Sequence, residues 1–390
     1  MADRARSRLA VHRLVRRAVG DQAAVDRFLA RHQLPLVEGG HVTFAATVHD
    51  PDGSLEGVWL RHRVVGLPDD LAMHHLDGTT LWWVTVEIPG ESRVEYQFEL
   101  RRHGEWQRFN DPRNPRVARS PVGDSSVCWS AGYQVPDWAV PDPDARPGEL
   151  IEVELPSRAQ RRTNRVRVYL PARLRSTARY PLLIVHDGSD FLEYAGMKTV
   201  LDNLIHRLDM AETVVAFTDP GDRLTEYPNH PAHARMIVEE LIPHLERELP
   251  VAALPSQRCL MGSSFGAIAS FSTAARYPQA FGSLLLQSGS FMFTDIGGDH
   301  GGGPAFDPVV KFVNGYRRRP KPVAERLFVS CGIYEPLIVQ NRSMLEVWRE
   351  TGMTVSYVES RDGHNWESWR DRLRDGLCRI FPGDDAFYYE

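Results

Sequence analysis

The stretch RCLMGSSFGAIASFSTAARYP, residues 258–278, decides the fold class of this 390-residue chain. An apolar run is followed by GSSFG at positions 262–266 and then by AIASFSTAAR, which has a helical pattern. A buried strand, a tight turn of the form G-x-S-x-G and a helix together predict a nucleophile elbow. The alternative is an ordinary strand-to-helix turn capped by serine. The context favours the elbow, with Ser264 as an exposed nucleophile.

Apolar runs typical of strands recur on both sides of this stretch. They lie at residues 165–171, 180–187, 213–219, 258–263, 283–289, 326–332 and 354–360. Several are continuously apolar, as strands covered on both faces are. Helical patterns separate many of them; one places Val200, Leu201, Leu204, Ile205 and Leu208 on one face. The alternation predicts an α/β fold with a mostly parallel sheet, which we assign as an α/β-hydrolase domain over residues 150–390.

The first part of the chain has a different pattern. Short β-branched or aromatic runs at 41–50, 57–65, 81–89 and 93–102 are separated by turn signals. This spacing predicts a small all-β, immunoglobulin-like sandwich over residues 41–134, preceded by a helical segment at 1–40. Residues 135–149, rich in proline and acidic side chains, are the predicted linker. The glycine-rich tract at 297–303 is expected to be a mobile loop.

Composition narrows the class of protein. Apolar residues make up 42% and charged residues 25% of the chain, as in ordinary globular proteins, and no stretch approaches the roughly 20 apolar residues of a membrane span. The N-terminus lacks the apolar core of a secretory signal, and a net charge of −5 gives no reason to expect a nucleic-acid partner. We expect no membrane partner, no cofactor and no metal. The cysteines are scattered, without metal spacing, which favours reduced, buried thiols and a cytoplasmic protein: Cys128, Cys259, Cys331 and Cys378.

A serine nucleophile needs a base, and two residues late in the chain match the order nucleophile, acid, base. His364 comes just after the last predicted strand and beside a glycine, so it is the predicted base. Glu335 follows the strand at 326–332 and is the predicted acid, which would orient and stabilise the imidazolium. Asp362 and Glu359 are less attractive, because they lie on the same segment as the histidine.

The predicted oxyanion hole consists of backbone amides. One comes from Phe265, the residue after the nucleophile. The other comes from the loop after the strand at 180–187, namely Gly188, Ser189 or Asp190.

Several segments resemble the enterochelin esterases, whose catalytic domain is esterase D-like. The resemblance rests on LLIVHDGSDF, RLTEY at 223–227, EELIPHLERELP, GSSFG and GHNWESW, and in the first part on HVTFAAT, GTTLWWVTVEIPGESRVEYQFEL and NDPRNPR. It extends roughly from residue 41 to 381. The family usually has two glycines before the histidine and an aspartate after it, whereas this chain has Asp362-Gly363 and Asn365.

The resemblance implies a cytoplasmic serine esterase that hydrolyses the trilactone of a ferric catecholate siderophore through an acyl-enzyme. It implies Ser264 as nucleophile, His364 as base and Glu335 as acid, although some relatives work with a serine–histidine dyad. Arg223 and Trp366 are the predicted substrate-binding residues. The guanidinium of Arg223 suits an anionic ligand, and the alternative for Arg223 is a structural ion pair with Glu226 or an aspartate.

Other functions share this pattern. A carboxylesterase or acyltransferase of the same fold would use the same triad, because fold does not determine substrate. A glycan-binding N-terminal domain is a further alternative, with a sugar platform drawn from Trp59, Trp82, Trp83 and Trp106. A pseudoenzyme that only binds ligand is disfavoured by the intact triad.

Overall fold

Two antiparallel sheets form the first part of the chain in the computed structural model, which describes residues 8–294 and 302–383. Short helices come first, α1 (Ala10–Val15) and α2 (Gln22–Arg31). The strands are β1 (Leu36–Glu38), β2 (His41–Thr47), β3 (Leu55–His62), β4 (Leu71–Ala72), β5 (His74–His75), β6 (Leu81–Glu87), β7 (Arg93–Arg102), β8 (Glu105–Phe109), β9 (Val117–Ala118) and β10 (Ser125–Trp129). One sheet has the order β1-β2-β6-β5, and the other β4-β3-β7-β10-β9 with β8 beside β7.

The alternating pattern of these strands buries one face of each sheet. Side chains from β2 and β6 meet side chains from β3 and β7 in one hydrophobic core, which includes Phe44, Leu60, Val84 and Phe98. The helices cover the opposite face of β2 and β6, where Trp83 is buried. The predicted sandwich is present. Its first sheet begins at Leu36 rather than at residue 41, because β1 pairs with β2.

The second part of the chain is built around one eight-stranded sheet. Its strands are β11 (Glu149–Ser157), β12 (Arg162–Leu170), β13 (Leu182–His186), β14 (Val214–Thr218), β15 (Arg258–Ser263), β16 (Ser283–Gln287), β17 (Arg326–Gly332) and β18 (Thr354–Ser360). The order is β11-β12-β14-β13-β15-β16-β17-β18. All pairs from β14 to β18 are parallel, as the apolar runs predicted. The antiparallel strand β11 was missed, since its side chains are largely exposed.

Helices connect these strands. They are α3 (Gly188–Glu193), α4 (Met197–His206), α5 (Arg223–Glu226), α6 (Pro231–Arg235), α7 (Ile242–Glu248), α8 (Phe265–Arg276), α9 (Asp307–Arg318), α10 (Ile338–Arg349), α11 (Trp366–Arg370) and α12 (Leu373–Ile380), with a π-helix at Met236–Leu241 and 3₁₀ turns at Asp137–Ala139, Pro255–Gln257 and Pro304–Phe306. Alternate residues of the central strands enter two separate cores; Leu260 and Leu284 face one, and Met261 and Leu285 face the other. The sheet therefore lies between two helical layers, as in α/β-hydrolases.

Contacts divide the chain into two compact units. The first unit contains residues 1–134 together with Ile333–Glu335 and Arg361–Gly363, and the second contains the remainder. Two short segments after β17 and β18 thus cluster with the sandwich. The four cysteines form no disulfide; Cys128, Cys259 and Cys331 are buried and Cys378 is partly exposed. Of the glycine-rich tract at 297–303, residues 297–301 lie outside the described residues.

Candidate active site

Ser264 lies in the turn between β15 and α8, in a backbone conformation that non-glycine residues rarely adopt. Its φ is +56° and its ψ is −121°. Its amide donates to the carbonyl of Gln287 at 3.0 Å, and its carbonyl accepts the amide of Ser290 at 3.2 Å. Such strain persists only where surrounding contacts hold it, and it clusters at functional sites. The turn has the form of the predicted nucleophile elbow.

Close packing explains the two glycines of the motif. A Cβ on Gly262 would lie 2.3 Å from the carbonyl carbon of Gly266, which no real side chain tolerates. A Cβ on Gly266 would lie 3.2 Å from Oδ2 of Asp187 and 3.3 Å from Cβ of His186. The G-x-S-x-G pattern is therefore a steric requirement of this strand–turn–helix, most strictly at Gly262.

The hydroxyl of Ser264 lies 3.2 Å from the hydroxyl of Ser290. Ser290 is buried and follows β16, the strand beside the one that leads to Ser264. Ser290 was not among the residues predicted from the sequence, although QSGS at 287–290 follows an apolar strand at the same edge of the sheet. Residues after adjacent parallel strands meet at that edge, and this was the available signal.

His364 comes between β18 and α11, a helix capped by the side chain of Asn365. Its ring meets the indole of Trp369 edge-on, with ring centroids 5.1 Å apart. The carbonyl of Trp369 accepts from Nε2 of Gln287 at 2.9 Å, and the carbonyl of Gln287 accepts the Ser264 amide. A short series of contacts thus links the two predicted catalytic residues, Ser264 and His364.

The three candidate acids have different surroundings. Glu335 is completely buried. Glu359 forms two hydrogen bonds with Arg342, at 2.6 and 2.7 Å. Asp362 faces Arg93, with Oδ1 3.4 Å from Nη1. Glu359 and Asp362 are each paired with an arginine, and Glu335 stays the predicted acid.

The predicted oxyanion donors are not equivalent. The Ser189 amide donates to Oδ1 of Asp219 at 2.9 Å, so that amide is already engaged. Gly188 and Asp190 begin the same helix, and Phe265 begins α8. Amides in the first turn of a helix have no acceptor within it. The predicted oxyanion hole therefore consists of the amide of Phe265 together with the amide of Gly188 or Asp190.

Arg223 forms the ion pair that was the alternative to ligand binding. Its Nε donates to Oδ1 of Asp187 at 2.9 Å, and its Nη2 donates to Oδ2 at 2.7 Å. The side chain of Asp187 is 4% exposed and that of Arg223 is 35% exposed. The guanidinium carbon lies 5.7 Å from the ring centroid of Phe265. Arg223 is thus beside the elbow, with one edge of its fork occupied by a carboxylate.

Trp366, the other residue predicted to bind substrate, is buried among aromatic side chains. It is 8% exposed and packs edge-on against Phe191, with ring centroids 5.3 Å apart, and against Trp369 at 4.7 Å. The amphipathic pattern of α11 turns this side chain into the core.

The tryptophans of the sandwich also differ from one another. Trp83 is buried in the core, and Trp82 stacks on His75 with centroids 4.6 Å apart. Trp106 is 51% exposed, and its ring centroid lies 4.9 Å from that of Trp59. Guanidinium groups contact the Trp106 ring, with the carbons of Arg61 and Arg101 at 5.6 and 5.4 Å from its centroid. This indole is therefore engaged in cation–π contacts rather than presented as a bare platform.

Within residues 8–294 and 302–383, no group of three or more His, Cys, Asp or Glu side chains has an arrangement that would hold a metal ion. Over the same ranges, every helix is too short or too polar to cross a lipid bilayer.

Residues 157–380 match the family model Esterase, described as "Putative esterase". The chain belongs to the Esterase family. Membership makes it a carboxylic ester hydrolase, in agreement with the elbow geometry at Ser264.

Relatives of this esterase match it over most of its length. The iron(III) enterobactin esterase of Escherichia coli K12 is 23% identical, over 85% of this chain and 89% of the relative. The enzyme of the same name from Dickeya dadantii is 25% identical, over 92% of both chains. The crystal structure of ferric enterobactin esterase from Salmonella typhimurium superposes with a TM-score of 0.72 at 20% identity, over 87% of this chain and 93% of that one. The shared fold therefore extends beyond the residues that the family model matches.

Proposed function

We propose that this esterase hydrolyses the lactone esters of a catecholate siderophore, in its ferric form, through an acyl-enzyme on Ser264. The observation that carries the proposal is the extent of the similarity. The family model covers residues 157–380, whereas relatives named iron(III) enterobactin esterase match 85% to 92% of the chain. Similarity that includes the sandwich favours this substrate over an unrelated ester, because the additional domain is part of what is shared.

In the proposed reaction, Oγ of Ser264 attacks the carbonyl carbon of the lactone while His364 accepts the hydroxyl proton. The amide of Phe265, with that of Gly188 or Asp190, stabilises the oxyanion. His364 then protonates the departing alkoxide of the opened lactone. Water, deprotonated by His364, hydrolyses the acyl-enzyme and regenerates Ser264. Glu335 is the proposed acid that holds the tautomer of His364.

Binding of a ferric tris-catecholate requires local positive charge, because the protein carries a net charge of −5. Arg223 supports this part of the proposal, since its guanidinium lies 5.7 Å from the ring of Phe265, the residue after the nucleophile. The bidentate pair with Asp187 uses Nε and Nη2. Nη1 is the guanidinium nitrogen left for a catecholate oxygen. A cytoplasmic location is part of the same proposal and rests on the scattered cysteines, which form no disulfide.

Turnover of three substrates tests the proposal. Ferric trilactone siderophore, the iron-free trilactone and 4-nitrophenyl acetate are incubated with the wild-type protein and with Ser264→Ala, and the products are identified by mass spectrometry. The expected result is opening of the trilactone by the wild type at a kcat/KM above that for the aryl ester, and no opening by Ser264→Ala. Turnover of the aryl ester alone would assign the chain to the general carboxylesterases.

A further inference from the structure

Two short segments that flank the predicted acid and base belong to the compact unit of the sandwich. Ile333–Glu335 follows β17 and Arg361–Gly363 follows β18. Within that unit the Tyr334 amide donates to the carbonyl of Asp362 at 3.1 Å, so the two segments are tied to each other. The first ends on Glu335, and the second ends immediately before His364.

Backbone hydrogen bonds join both segments to the sandwich. The Val65 amide donates to the carbonyl of Tyr334 at 2.8 Å, and the Arg93 amide donates to the carbonyl of Arg361 at 3.0 Å. The side chain of Arg361 donates from Nη1 to the carbonyl of Gly90 at 2.8 Å. These bonds come from the start of β7 and from the loop after β3, so the attachment involves separate parts of the sandwich.

Buried side chains also hold the two segments to the sandwich. The hydroxyls of Ser92 and Tyr334 lie 2.6 Å apart. The Tyr334 ring packs in the core of the sandwich. Arg93 lies between two carboxylates, with Nη1 3.1 Å from Oε1 of Glu95 and 3.4 Å from Oδ1 of Asp362. The side chains of Arg93 and Asp362 are only 3% and 6% exposed.

A buried ion pair is a poor way to gain stability, because desolvation of both charges offsets their attraction. An apolar pair of similar volume is often as stable. We therefore explain the charges of Arg93 and Asp362 by the backbone that they hold in place, rather than by stability. The same Oδ1 of Asp362 accepts the amide of Gly363 at 2.7 Å. The carboxylate is thus held by Arg93 on one side and holds the backbone directly before His364 on the other.

We propose that Arg93 is a positioning residue for the general base: through Asp362, it holds the backbone segment that leads into His364. This inference rests on the proposed function, in which Ser264 and His364 carry out the hydrolysis. In this scheme Arg93 acts through Asp362 and not on a reacting atom. Its effect is on the orientation of the imidazole, and displacement of a catalytic group by about 1 Å costs on the order of a hundredfold in rate.

The first measurement compares Arg93→Met with Arg61→Met on 4-nitrophenyl acetate. Arg61 forms an arginine–carboxylate pair in the same sheet, with its Nη2 2.5 Å from Oε2 of Glu99. We expect Arg93→Met to lower kcat by about tenfold to a hundredfold, with KM changed by less than about twofold and partial rescue by Arg93→Lys. Arg61→Met should keep kcat within about twofold of the wild type, since it disturbs the sandwich without touching the Asp362 segment.

The second measurement places Arg93→Met in a His364→Ala background. If Arg93 acts through His364, the double variant should be no slower than His364→Ala alone, because residues that act as one unit are non-additive. A further loss of tenfold or more in that background would overturn the proposal. Where Arg93→Met does not fold, Asp362→Asn enters the same cycle, with the same expected non-additivity.

Different results would contradict the proposed function and the positioning role of Arg93. Near-normal turnover by Ser264→Ala would remove the proposed function itself. Complete loss in Ser264→Ala, together with unchanged kcat in folded Arg93→Met and Asp362→Asn, would leave the function intact and overturn the positioning role.

Discussion

Arg223 and Asp187 form a bidentate ion pair beside the nucleophile elbow, with N–O distances of 2.9 and 2.7 Å. Asp187 comes directly after β13 and has left-handed backbone geometry, with φ +54°. Its amide donates to the hydroxyl of Tyr227 at 2.9 Å. The residue predicted to bind substrate is thus also part of the framework of the turn. Substrate binding by Arg223 and its support of the turn can be tested separately.

Arg223→Ala is expected to lower kcat/KM selectively for anionic catecholate substrates. Loss of a charge-assisted hydrogen bond of about 1.5–3 kcal/mol corresponds to roughly 10- to 150-fold in kcat/KM, and a neutral aryl ester should be nearly unaffected. Arg223→Lys should recover only part, since ammonium cannot form the planar fork. Rates with both substrates at two salt concentrations provide the measurement. Equal losses on both substrates would show that Arg223 is structural.

The same substitution should also destabilise the protein, because it leaves the buried carboxylate of Asp187 without its main partner. We expect the free energy of unfolding to fall on the order of 2 kcal/mol, measured by urea denaturation. The control is Arg223→Ala combined with Asp187→Asn, which removes the uncompensated charge. It should regain stability but not the preference for anionic substrate. Selectivity that returned together with stability would argue against direct contact.

Ser264→Ala is expected to reduce hydrolysis by about a thousandfold or more, since members of a triad act as a unit. The melting temperature should stay close to that of the wild type, because the substitution removes only a hydroxyl. Ser263→Ala is the matched control, as Ser263 ends β15 and is buried beside it. Near-normal turnover by purified Ser264→Ala protein would refute the assignment of the nucleophile.

His364→Ala is expected to be as damaging as Ser264→Ala, and Glu335→Gln to be damaging but less so. The base transfers protons in both half-reactions, whereas the acid orients and stabilises it. Glu359→Gln is the control, because Glu359 is paired with Arg342. The measurement is kcat/KM on the aryl ester for each variant. If Glu335→Gln matched the wild type, the serine–histidine dyad would suffice.

Asp190→Asn should stabilise the protein at neutral pH. Burial, with the nearby carboxylates of Asp187 and Asp219, raises the pKa of Asp190 to about 6. The folded protein then binds a proton more tightly than the unfolded chain, so this group's contribution to stability falls as pH rises from about 4 to about 6. Asparagine removes that cost.

The melting temperature of Asp190→Asn should therefore exceed that of the wild type at pH 7.5, with a smaller difference at pH 4. Glu193→Gln is the control, since it removes a negative charge from an exposed position of the same helix. A stabilisation of Asp190→Asn that was equal at both pH values would contradict the raised pKa.

Local features of the sequence predicted the elements that carry the proposed catalytic residues. The apolar run before Ser264, its flanking glycines and the following helix were sufficient for the elbow, because each is determined by short-range steric and burial requirements. The same periodicity predicted the parallel strands β13 to β18 and the sandwich strands β2, β3, β6 and β7. It did not predict β11, whose exposed side chains give a weak burial signal, and it did not reveal that Trp366 is a core residue.

The sequence alone therefore determined the fold class, the division into a β-rich and an α/β part, and Ser264 and His364 as the catalytic candidates. Only the tertiary structure decided which partners the polar groups have. Arg223 takes Asp187, 36 residues earlier, Ser264 meets Ser290, and Arg93 reaches Asp362 across 269 residues. Composition offers many arginines and carboxylates, and any of them satisfies a local pattern equally well. The choice among them follows from strand order and burial, since a charge deep in the protein is tolerated only where the fold brings an opposite charge to it.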